Sequence, residues 1–176
     1  MDFLTIMQTY FRGEKVEAAL YIAPAGLLLV AVAVGAWRSE SGGFMWGAIV
    51  PAAIFGLLLA GTGIGITGRT AGQVAALEAG FASDVATMVS AELPRMQKVM
   101  ANFVHTQVAF GVIALVGLVI RFGLRADWAL SVGSVLVAVG GVVLVVDCFA
   151  ERRAHPYVAA LEALAVQHGV PVNAAE

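Results

Sequence analysis

Three side chains with acid–base or ion-binding capacity share one helical face in the middle of the chain. Lys98, Asn102 and His105 stand at i, i+4 and i+7, with Thr106 and Gln107 beside them. A further ionisable residue, Asp147, closes the last long apolar run. If the two runs form a helical hairpin folded about residue 124, Asp147 comes level with residue 101, within reach of Lys98, Asn102 or His105. Ionisable groups in an apolar medium are costly, and each demands a partner. Such a cluster serves either as a proton or ion relay or as a lock between two helices. The lock is the favoured expectation, because water near the headgroups lowers the burial penalty.

Other chemistry has little to work with. His105 has the donor atom for an axial haem ligand, but His155 and His168 lie beyond the last apolar run, so no histidine pair faces inward and no cofactor is expected. The single cysteine, Cys148, provides no internal disulfide, CxxC pair or zinc site, and no metal site is expected. Gly63-Ile-Gly65-Ile-Thr-Gly68 matches GxGxxG, but it ends an apolar run instead of following a strand, and the dinucleotide reading is rejected. No nucleophile sits beside a base in a recognisable context, and no carboxylate pair lies within an apolar run. The sequence therefore proposes no reaction, and an enzyme is not expected.

The elements that must position these residues follow from composition. Of 176 residues, 60% are hydrophobic and 12% charged, with a mean hydropathy of +0.90. Soluble domains carry about 45–50% apolar and about 25% charged residues. Ten Lys and Arg against twelve Asp and Glu give a net charge of −2, which leaves no basic footprint for nucleic acid. A hydrocarbon core of about 30 Å needs about 20 apolar helical residues. Four stretches qualify, at 18–37, 44–67, 100–121 and 127–147. Pro24 and Pro51 fall inside the first two, where kinks are expected. The first run is too long for a signal peptide and is read as retained. The expected fold is an all-α integral membrane bundle of four transmembrane helices with amphipathic cytoplasmic helices.

Charge sets the expected orientation. Arg12, Lys15, Arg69, Arg95, Lys98, Arg152 and Arg153 share one side of a four-span chain, and Arg38, Arg121 and Arg125 the other. The richer side, with both termini, is expected in the cytoplasm, and the membrane is expected to be a bacterial inner membrane.

A repeat is visible as well. Arg12, Lys15, Val16 and Ala18 recur as Arg95, Lys98, Val99 and Ala101, an offset of 83. Val74-Ala-Ala-Leu-Glu-Ala79 recurs as Val158-Ala-Ala-Leu-Glu-Ala163, an offset of 84 that Gly56 and Gly140 share. The chain reads as one membrane domain duplicated from a two-span unit, residues 1–93 and 94–176. Each unit has an even number of spans, so the copies share orientation about a pseudo-two-fold axis along the membrane normal.

Outside the spans, Val74, Leu77, Phe81, Val85 and Met88 make one helical apolar stripe that Gly80 interrupts. Pro94 and Pro156 suit the starts of new helices. No basic residue falls in 71–93, so this stretch is expected to pack on protein instead of anionic lipid. Phe3, Leu4, Met7, Tyr10 and Phe11 suggest an interfacial anchor or a plain lead-in to the first span. Gly61 and Gly65 give GxxxG, and Ser134, Ala138 and Gly141 a similar small-residue face, both spacings for close helix packing. The expected function is that of a non-enzymatic assembly or accessory subunit, or a homo-oligomer, docking through these faces and through the 71–93 helix. A small ion or solute transporter and an immunity protein against a pore-forming toxin are the alternatives. The expected partners are lipid and either a second copy or another membrane protein.

Overall fold

The structure, a computed structural model, describes residues 2–39 and 42–172; Met1 and residues 173–176, at the outer ends of the two expected repeats, lie outside the described residues. Four helices fill the described chain: α1 (Phe3–Arg38), α2 (Gly43–Ser83), α3 (Val85–Gly123) and α4 (Asp127–Gln167). Each is long and apolar enough to cross a membrane. A helix of 41 residues, as in α2 and α4, rises about 62 Å, twice the roughly 30 Å of a hydrocarbon core. Each helix therefore has an apolar half and a second half that extends well beyond it.

The two halves bury opposite things. In the apolar halves the large side chains face outward: Leu28 is 66% exposed, Leu57 66% and Val119 64%. Small residues face inward, among them Ala33, Ala52, Gly56 and Ala60. In the extended halves the order reverses. Phe3, Met7, Tyr10, Phe11, Met96, Tyr157 and Leu161 are buried together as a core, with rings stacked at 5.0 Å between Tyr10 and Tyr157 and 5.1 Å between Phe3 and Phe81. Each such ring pair adds roughly 0.5–1.5 kcal/mol beyond its area burial. The N-terminal aromatic residues are thus core residues of an extended four-helix bundle, not an interfacial anchor. The 71–93 stretch packs into the same core.

Local sequence explains the boundaries. The break expected at Gly80 falls instead at Asp84, a single extended residue between α2 and α3. Its carboxylate accepts from the Thr87 amide at 3.1 Å and from the Thr87 hydroxyl at 2.6 Å, which caps α3 two turns ahead of the start that Pro94 suggested. Pro156 likewise lies inside α4 and starts no new helix. In α1 a π turn, Ala18–Ile22, ends two residues before Pro24. A proline crowds the carbonyl four residues back, here Leu20, and the wide turn absorbs that clash.

Glycines set how closely the apolar halves approach. A Cβ at Gly56 would lie 2.8 Å from the Val30 amide, and one at Gly63 2.5 Å from the Ala23 amide. In the second hairpin a Cβ at Gly140 would lie 3.0 Å from the Ala114 amide, and one at Gly117 2.9 Å from that of Val137. These pairs centre the α1/α2 hairpin on residue 43 and the α3/α4 hairpin on residue 127. Both centres are the first residues of helices of equal length, Gly43 of α2 and Asp127 of α4. The parallel helices α2 and α4 meet at that end, where Gly43 approaches the Asp127 Cβ and Gly47 packs on Ser131.

Candidate functional site

A polar cluster of Lys98, Asn102, His105 and Asp147 was expected, and the structure does not bring its members together. Lys98, Asn102 and His105 all lie exposed on the outer face of α3, and His105 Nδ1 is 2.9 Å from the Ala101 carbonyl oxygen one turn back. The register is part of the reason. A fold centred on residue 127 instead of 124 brings Asp147 level with Gln107. The rest is helix rotation: Phe110, Ala114 and Gly117 are the positions of α3 that meet α4, and they carry the Lys98, Asn102 and His105 stripe away from it.

Asp147 instead faces a cavity of about 310 Å³ that takes walls from all four helices. Its lining includes Ile22 and Thr106, Leu58 and Val142, Leu59 and Val143, and Thr62 and Val146, four pairs each 84 positions apart. Within the cavity Thr62 and Thr106 supply hydroxyls, and Asp147 supplies the only ionisable group. Asp147 Oδ2 is buried with no hydrogen-bond partner among the described residues. The charged groups acting on it, Glu17 and Glu151, are both acidic.

A belt of ion pairs separates this cavity from the extended bundle. Arg153 reaches across from α4 to pair with Glu17, whose side chain is 11% exposed. Gly13 makes the reach possible, because a Cβ there would lie 2.6 Å from Arg153 Nε. Arg69 pairs with Glu14 at 3.4 Å, and Gln107 donates to Glu151 at 2.7 Å. Burial holds the Glu14 carboxyl above its usual pKa despite the pull of Arg69, Arg95 and Arg153, and Glu14 Oε2 has no hydrogen-bond partner among the described residues. Deeper in the bundle, Glu92 accepts two bonds from Arg95 at 2.6 and 2.7 Å and one from the Tyr157 hydroxyl at 3.0 Å. Burial and the neighbouring Glu92 carboxylate raise the Tyr157 phenol pKa.

Sequence reasoning did not single out Glu14, Glu17 or Thr62. The available signal for the first two was two carboxylates one turn apart just before an apolar run, with Arg69 and Arg153 at equivalent repeat positions.

The expected packing residues sit elsewhere too. Gly61, Gly65 and Gly141 point outward, with nothing within 4 Å of a Cβ built at any of them. Ala138 is exposed, and Ser134, also exposed, receives a hydrogen bond from Arg121 Nε at 3.1 Å. Helix contact within the chain is made instead by Gly26, Gly56, Gly63, Gly117, Gly133 and Gly140. No protein-family model, curated protein or solved structure matches the chain.

Proposed function

We propose that the chain is an integral membrane protein whose role is assembly, as a homo-oligomer or an accessory subunit, and not catalysis. Outward leucines and valines over inward glycines and alanines suit lipid as solvent, since in water they would form an apolar patch far larger than the few hundred Å² that monomers tolerate. Exposed Trp37, Trp46 and Trp128 at the loop end and Tyr21 and Phe149 at the other suit two interfacial belts. From Trp128 to Phe149 the helix rises about 32 Å. The excess of basic residues at the bundle end favours a cytoplasmic bundle and termini. The equal lengths of α2 and α4 and hairpin centres 84 residues apart support descent from a duplicated two-span unit.

The observation that carries the assembly reading is a ridge on α2. Gly61 and Gly65 lie on one helical line in the apolar half, which Gly68 and Gly72 continue beyond it, and a Cβ at each would meet nothing within 4 Å. Ser134, Ala138 and Gly141 run along the outward face of α4. Small residues on a lipid-facing line allow close approach of another helix. Native mass spectrometry from a gentle detergent tests this. The wild type is expected to carry a second copy or a stoichiometric partner, and Gly61→Leu with Gly65→Leu to release it. Those leucines enter open space, so they leave the monomer fold intact. A wild type that is a lone monomer overturns the reading.

A second reading, passage of a small solute, is favoured by one observation: the cavity between the four helices holds the unpaired Asp147 oxygen. Sites of parallel-repeat transporters lie at the repeat interface.

A further inference from the structure

We infer that the cavity between the four helices binds a small organic cation, an amine or quaternary ammonium with an apolar body, and that the Asp147 carboxylate is its counter-ion. The inference supplies a ligand class for the second reading above, though occupancy does not require passage.

The first argument is charge. A carboxylate among apolar walls needs a compensating partner. The candidates expected from sequence face away, and the charged groups acting on Asp147 are the carboxylates of Glu17 and Glu151. Arg153 is engaged with Glu17. Among the described residues no cationic side chain lines the cavity, so an Asp147 that stays ionised takes its counter-charge from outside the chain.

The second argument is the character of the walls. A bare metal cation of the hard class needs about six oxygen ligands in a compact shell. Here the side-chain oxygens are those of Asp147, Thr62 and Thr106, and the remaining lining is apolar, including Leu59, Phe110 and Val143. A cavity of about 310 Å³ is also far larger than an ion, at the low end of the range for organic ligands. The occupant that fits brings its own hydrocarbon. Phe110 is also in the lining, and an aromatic ring is a favourable neighbour for a cation.

The third argument is access. Leu58 and Val142 line the cavity yet are 60% and 46% exposed on the outside of the bundle, so it opens sideways toward the lipid phase. A lipophilic cation partitions into that phase.

The test uses the full chain in phosphatidylcholine nanodiscs and radiolabelled benzyltrimethylammonium as the probe. Its carbon isostere, neopentylbenzene, has the same shape without the charge. Saturable binding is expected, with at least a tenfold loss in Asp147→Asn, a several-fold loss in Thr62→Val, substantial retention in Asp147→Glu and little competition from neopentylbenzene. Circular dichroism and thermal melts confirm that each variant is folded. Absence of saturable binding to the wild type, binding to folded Asp147→Asn within twofold of wild type, or equal competition by the neutral isostere overturns the inference. Because the assay reads occupancy alone, absence of amine flux in vesicles would remove the passage reading and leave the binding site standing.

Discussion

Gly47 and Ser131 pack against each other at the loop end of the molecule, although 84 positions separate them, and a Cβ at Gly47 would lie 2.5 Å from the Trp128 carbonyl oxygen of the same helix. Gly43 and Asp127, the first residues of α2 and α4, form a second such pair. When two parallel helices meet at equivalent positions, a local two-fold axis runs between them. The cavity takes equivalent positions from both halves, since Ile22 and Thr106, and Thr62 and Val146, line it together. Asp147 breaks that symmetry, because its counterpart 84 positions earlier is Gly63, which packs on Ala23. One half thus uses the position to join two helices, and the other places a carboxylate there.

Equivalent contacts predict equivalent costs. Gly56→Ala and Gly140→Ala each drive a methyl into backbone atoms at 2.8–3.0 Å, Val30 and Gly26 in one case and Ala114 and Phe110 in the other. Each is expected to destabilise by about 1–3 kcal/mol, the usual range for overpacking. Gly61→Ala and Gly65→Ala meet open space inside a helix and are expected to leave the monomer as stable or to stabilise it by up to about 1 kcal/mol. Denaturant titration in mixed micelles measures all four. A Gly56 or Gly140 variant as stable as Gly61→Ala would show that the helices do not approach at these positions.

The ion pair of Glu17 and Arg153 ties α1 to α4 where the cavity meets the bundle. Arg153→Ala leaves the Glu17 carboxylate, 11% exposed, without its cation. Breaking a fully buried pair costs about 3–5 kcal/mol, and the 29% exposure of Arg153 lowers the expectation to about 2–3 kcal/mol. Glu17→Gln with Arg153→Met removes both charges and is expected to recover most of the loss. A double variant no better than Arg153→Ala, measured by the same titration, would contradict this account of the contact.

Four helices apolar enough to cross a membrane were legible in the sequence, because composition and run length decide them, whereas their unbroken course through Pro94 and Pro156 was not. Rotation of each helix about its axis was not. Gly61 and Gly65 carry the textual GxxxG pattern and face outward, whereas Gly56 and Gly140, marked by the repeat offset, make the contacts. Lys98, Asn102 and His105 lie on one face as expected, but nothing in their spacing says that Phe110 and Gly117 turn the opposite face to α4. The stripe through Val74, Leu77, Phe81, Val85 and Met88 suggested a break at Gly80 and not at Asp84, because helical periodicity is blind to a one-residue break that restores it on the far side. Asp147 was identified from sequence and its surroundings were not, since Glu17, Thr62 and Thr106 come from three other helices.

Glu14 predicts a pH dependence of bundle stability. Burial raises its pKa in the fold, so the folded chain binds this proton more tightly than the unfolded chain. Its contribution is most favourable below the usual carboxylate pKa of about 4.3 and declines as the pH rises through the higher folded value. Glu14→Gln is expected to remove that decline and flatten the melting temperature between about pH 4 and 8. Arg69 loses its partner in the variant at little cost, being 52% exposed. Thermal unfolding across that range, followed by circular dichroism, reads the slope, and an unchanged slope would place the relevant proton elsewhere.

Tyr157 separates the two layers of the molecule energetically. Its ring packs against Phe3, Tyr10 and Phe11 in the extended bundle, and its hydroxyl donates to Glu92, which keeps two bonds from Arg95 when that donor is removed. Tyr157→Phe is therefore expected to cost about 1 kcal/mol. Tyr157→Ala opens a cavity in the aromatic core and is expected to cost about 3–5 kcal/mol. The apolar halves are held by glycine contacts far from this ring, so the loss should stay within the bundle. Hydrogen exchange in nanodiscs is expected to show faster exchange at 3–12 and 154–165 in Tyr157→Ala, with 26–33 and 110–117 unchanged. If the amides at 26–33 and 110–117 accelerate equally, the two layers unfold as a single cooperative unit, and the apolar halves depend on the bundle for their order.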